Sequence, residues 1–194
     1  MATVKPFCGL RPAPQLADKV ASLPYDVMDT EEARAMVQNN PVSFLHVTRS
    51  EVDLPANTDI HSPEVYAKAR ENLERFVVDG VLIQDEQPRF YIYKQKTGSH
   101  IQIGLVAAAS VEEYNRNIIK KHEFTRPDKE QDRVNHITAT GAQTGAVFLT
   151  YKAKESINYL IAQCMQKDPV YDFTAEDGIG HTLYIVDDRA KIAA

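Results

Sequence analysis

The sequence predicts an α+β fold: a mixed sheet with flanking helices. Two observations carry this reading. Strand and helix patterns follow one another without the strict β-α-β alternation that builds a parallel sheet. Two strand patterns also adjoin across Thr97-Gly98-Ser99, the signature of an antiparallel hairpin. With 194 residues, 43% hydrophobic and 25% charged, the chain can bury a real core without a metal or disulfide staple. One domain over residues 1–194 is expected, its weakest link at residues 55–62.

Each element has a local reason. Pro6, Pro12 and Pro14 keep the opening irregular, and Ala17 to Ala21 reads as one helical turn or a strand. Asp29 or Thr30 caps a helix that runs to Asn39, with Glu31 or Glu32 in its first turn. Phe44 to Val47 reads as a short strand. Ser62-Pro63 opens a helix whose stripe is Val65, Ala69, Leu73 and Phe76, ended by Gly80. Val81 to Gln84 is a strand, and the hairpin pairs Arg89–Lys96 with His100–Ser110. Val111 to Asn117 is a helical turn, and Pro127 to Thr140 a helix closed by Gly141. Ala146 to Tyr151 reads as a buried strand. Ser156 caps a helix through Gln166 that buries Ile157, Leu160, Ile161 and Cys164 or Met165. Thr182 to Val186 is a strand, and Asp187 to Ala194 begins another helix.

Composition removes several function classes. A net charge of -5 argues against duplex DNA as a partner, although a local phosphate site remains compatible with it. Cys8 and Cys164 have no metal-ligand spacing and read as buried, inert thiols of a reducing compartment. Neither a secretory leader nor a membrane span is legible, so a cytoplasmic protein is expected.

The chemistry concentrates between Ile118 and Gly141. The helix from Pro127 is too polar for ordinary core packing: Val134, Ile137 and Ala139 are its clearly apolar residues. Lys129, Arg133 and His136 share one face by their spacing of four and three. Lys120, Lys121, His122, Glu123, Thr125 and Arg126 precede it. Such a set suits a phosphate or carboxylate ligand. Arg126 and Arg133 offer planar forks, and Lys120, Lys121 and Lys129 offer point charges. The helix start offers free N–H groups. Glu123 or His122 can act as acid or base, and Asp128 or Asp132 can hold magnesium. The competing reading is a solvated charged helix. A second cluster joins Asp26, a base or metal ligand, to His46 and Arg49, which can meet an anion.

These segments carry a family likeness. Pro6-Phe7 with Gly9-Leu10-Arg11-Pro12, Pro24-Tyr25-Asp26-Val27, Asn40-Pro41 with Phe44-Leu45-His46-Val47 and Arg49, and the block from Ile119 to Arg133 resemble the N-terminal part of the domain of unknown function 1015 family. Phe148-Leu149 and Gly180-His181-Thr182-Leu183 extend the resemblance over nearly the whole chain. It implies a protein about twice this length, with a Gly-His-His-Arg motif similar to the phosphate-binding box of ParB and sulfiredoxin relatives. Some of those relatives phosphorylate free L-serine from a nucleotide or pyrophosphate.

The expectation is therefore part of a phosphotransferase for a small hydroxylated metabolite such as L-serine, with pyrophosphate, ADP or ATP as donor and magnesium as cofactor. His122, Glu123, Arg126, Lys129 and Arg133 are its first-choice contacts, with Asp26, His46 and Arg49 second. This chain alone is expected to be inactive without the C-terminal half, and a homodimer is a further expectation. The alternatives are a phosphate- or nucleotide-sensing module and a structural docking domain.

Overall fold

Short strands and helices alternate irregularly along the chain: β1 (Val4–Lys5), β2 (Leu10–Pro12), α1 (Ala17–Val20), α2 (Thr30–Val37), α3 (Leu45–Thr48), α4 (Pro63–Val78), β3 (Leu82–Gln84), β4 (Phe90–Thr97), β5 (His100–Val106), β6 (Ala108–Ala109), α5 (Val111–Asn115), α6 (Pro127–Thr140), α7 (Glu155–Cys164), β7 (Tyr171–Thr174) and β8 (Gly180–Val186). The fold is α+β, as expected. This computed structural model describes residues 2–122 and 124–187. The contacts divide the chain into two compact units. A sheet unit holds residues 1–14, 84–123 and 149–194, and a helical unit holds residues 15–83 and 124–148. Residues 55–62 lie inside the helical unit.

In the sheet unit, an antiparallel sheet runs β5-β4-β8-β7. The hairpin forms about Gly98, whose φ of 59° supplies the left-handed turn, with Thr97 opposite His100. Register places Ile92 across from Tyr184 and Phe90 across from Val186, so these four share one face. Ile92, Tyr184 and Val186 form a core with Cys164 of α7, and Ile161 and Met165 pack against it.

The helical unit is built on α4. Ala69, Leu73 and Phe76 are buried, as are Leu45 and Val47 of α3. Asp29 and Glu32 form the expected capping box on α2, with both bonds at 2.9 Å. Pro127 begins α6, and Gly141 ends it at φ 66°. His136 is the buried residue of α6.

Four expectations are corrected. Phe44 to Val47 is not a strand but leads into helix α3: Thr48 N–H donates to Phe44 and Arg49 N–H to Leu45. A segment of four residues is too short to reveal its period. Ala146 to Tyr151 forms no ladder, and Val147, Phe148 and Tyr151 are exposed. The α7 helix starts at Glu155 after Lys154 rather than behind Ser156. Cys8 is exposed, whereas Cys164 is buried. The strand β7 was not legible. The helix expected from Asp187 to Ala194 falls, but for Asp187, outside the described residues. Among the described residues no helix is long and apolar enough to cross a membrane.

Candidate functional site

A small cleft of about 50 Å³ opens in the helical unit, where α6 faces α4 and the turn after α3. The turn is fixed first. The Arg34 guanidinium donates to the carbonyls of Glu51 at 2.7 Å, Val52 at 2.8 Å and Leu54 at 2.8 Å. Ser50 donates to the Val65 carbonyl of α4 at 2.6 Å. These bonds set Arg49 and Glu51 at the cleft.

Arg49 and Glu51 are both largely buried. Arg49 Nη2 donates to Thr30 Oγ1 at 3.1 Å, and its Nε faces Glu51 Oε1 at 3.0 Å without an aligned hydrogen bond. Thr30 in turn donates to Glu51 at 3.3 Å. Across the cleft, Asp132 gathers three donors. Tyr66 Oη donates at 2.8 Å, His61 Nδ1 at 3.1 Å and Arg133 Nη2 at 2.6 Å. Burial would raise the Asp132 pKa, but bonds from Arg133, Tyr66 and His61 outweigh it and hold the carboxyl below its ordinary value. The same burial, with the Asp132 charge, raises the Tyr66 phenol.

Two further groups line the cleft with less committed chemistry. Lys129 is exposed and its ammonium has no partner among the described residues. His136 Nε2 lies 2.9 Å from the Val47 carbonyl, so this nitrogen carries the proton. Its Nδ1 is buried without a partner. Burial depresses the His136 pKa, and the neutral ring presents an acceptor.

Residues 4–194 match the family described as Protein of unknown function (DUF1015). The chain belongs to the DUF1015 family. Among curated proteins and among solved structures, nothing matches it.

In this DUF1015 protein, the fold brings together five residues that the sequence singled out: Arg49, Lys129, Asp132, Arg133 and His136. Others lie elsewhere. His46 is buried, with Nδ1 2.9 Å from Asp53 and Nε2 3.2 Å from the Asn40 carbonyl. Asp53 also accepts from Asn72, so this set braces α3 on α4. Asp26 is exposed. Arg126 and Asp128 form an exposed ion pair at 2.7 Å, and Thr125 donates to Glu130. Lys120, Lys121 and His122 belong to the sheet unit. Lys120 donates to the Asn117 carbonyl, Lys121 sits 4.7 Å from the Tyr114 ring centroid, and His122 is exposed. Glu123 lies outside the described residues.

The two carboxylates considered for magnesium are both held by arginine, Asp128 by Arg126 and Asp132 by Arg133. Among the described residues no group of three acidic, His or Cys side chains could hold a metal.

The sequence did not single out Glu51, His61 or Tyr66. Tyr66 adjoins the apolar stripe of α4 and reads as core, which its ring is. Only the partner across the fold shows that its hydroxyl is used.

Proposed function

We propose that the helical-unit cleft binds the oxyanion of a phosphate-bearing small molecule and forms part of a phosphotransferase site. The acceptor is a small hydroxylated metabolite such as L-serine, and the donor is pyrophosphate, ADP or ATP. One observation supports this reading above others: Arg49 and the Lys129–Arg133 segment, far apart in sequence, converge on one cleft. Three cations there face only two carboxylates, Glu51 and Asp132. Lys129 and Arg133 neutralise the oxyanion, and phosphoryl transfer depends mainly on such positioning and charge.

Phosphorus NMR tests the proposal on the full gene product, given L-serine and magnesium with pyrophosphate, ADP or ATP in turn. Phosphoserine should appear with one donor, and Lys129→Ala should reduce its rate at least about 100-fold. Turnover unchanged in Lys129→Ala, or no product with any donor, would sink the kinase reading.

A further inference from the structure

A second and larger cleft, about 250 Å³, lies wholly in the sheet unit. Its charged lining sorts into two ion pairs, with Arg89 and Asp168 outside them. All three nitrogens of Arg11 are engaged: Nε and Nη2 donate to Asp85 at 3.1 and 2.8 Å, and Nη1 to Tyr171 at 3.0 Å. Lys167 meets Asp187 at 2.7 Å. Arg89 acts electrostatically on both Asp85 and Asp187 without pairing with either. Its Nε is buried and unpartnered, and its guanidinium makes no ion pair or hydrogen bond with a described residue. Its backbone is pinned, because Arg89 N–H and C=O exchange 3.0 Å bonds with Phe7. The backbone that carries the fork is therefore fixed.

Beside Arg89, Cys164, Val170 and Tyr184 supply an apolar lining. Asp85 and Asp187 are paired and Asp168 offsets part of the Arg89 charge, so the lining carries no net positive charge to hold a polyanion. We infer that Arg89 anchors a small monocarboxylate with an apolar body in this cleft. A carboxylate matches the guanidinium fork with two parallel bonds, and it relieves a buried donor that otherwise has none. The inference is independent of the phosphotransferase reading, which concerns the helical unit.

The test is a proton–nitrogen NMR titration of this chain with benzoate, beside inorganic phosphate and pyrophosphate. Benzoate should shift the amides of Val170, Tyr184 and Ile185 and the Arg89 Nε–H saturably, in the millimolar range. Arg89→Gln should weaken binding about tenfold or more. Arg89→Lys, which keeps the charge and loses the fork, should fall between and serves where the Gln variant does not fold. No saturable shift at these amides, equal affinity in both variants and the native chain, or pyrophosphate binding there more tightly than benzoate would each overturn the assignment.

Discussion

The guanidinium carbon of Arg133 lies 4.0 Å from the centroid of the Tyr25 ring, while its nitrogens hold Asp132. One side chain thus ties the Pro24-Tyr25-Asp26-Val27 turn to α6. A guanidinium over an aromatic face contributes roughly 0.5–2 kcal/mol, depending on desolvation. Tyr25→Leu should lower stability by about 1 kcal/mol, and Tyr25→Phe should change it little. Urea unfolding with an unchanged m-value would measure this. Equal losses in the two variants would mean that the ring face is not the source.

The same contact shows how far the sequence could be read. The polar helix at Pro127 was legible to its last residue, because Pro at its start and Gly141 at its end are local signals. Lys129 and Arg133 were legible as ligand candidates because a helix that polar cannot be core. Their partners were not. Tyr66 and Glu51 take part through single polar atoms on otherwise buried residues, and no spacing rule links residue 51 to residue 132. His46 was legible as an anion contact by its type, but no spacing rule shows that Asp53 and the Asn40 carbonyl hold its ring. The Phe44–Val47 segment failed because four residues are too few to show a period.

Gly9 is required by the Tyr91 phenol. Gly9 N–H donates to Tyr91 Oη at 2.8 Å, and a Cβ on Gly9 would lie 2.5 Å from that oxygen and 2.8 Å from Cζ. The phenol cannot swing away easily, since it donates to Asp85 at 2.6 Å. Gly9→Ala should cost about 1–3 kcal/mol through overpacking. In Tyr91→Phe the nearest clash is gone, so the two changes should couple by at least about 0.5 kcal/mol in a double-mutant cycle. Strict additivity would refute the steric account.

Asp85 joins Arg11 to Tyr91, and its side chain is 8% exposed. Burial opposes its ionisation, yet hydrogen bonds from Arg11 and Tyr91 hold its pKa below the ordinary 3.8. The Tyr91 phenol is correspondingly pushed up to about 12, by burial and by its bond to Asp85. Asp85→Asn should destabilise by about 2–3 kcal/mol at neutral pH, because Arg11 keeps its charge and loses its counter-ion. A depressed carboxyl contributes stability that is present above its unfolded pKa and fades as pH falls below it. The variant should therefore unfold less steeply with acid below about pH 4 than the native chain. Parallel acid profiles would show that Asp85 is not ionised in the fold.

His136 titrates at milder pH. Its ring is buried, its Nε2–H is committed to Val47, and burial sets its folded pKa below the ordinary 6.5. The unfolded chain then binds a proton that the folded chain refuses. Stability is constant above pH 6.5 on this account and falls as pH drops from there toward the folded pKa. By pH 5 the loss can reach at most about 2 kcal/mol from this residue. His181, also depressed by burial, acts in the same direction in the sheet unit. His136→Gln can still donate to Val47 but cannot titrate. Thermal melts from pH 7 to 5 should therefore show a shallower decline in His136→Gln than in the native chain. An unchanged slope would mean that His136 accepts its second proton in the folded state, and Nδ1 would not then be the free acceptor of the cleft.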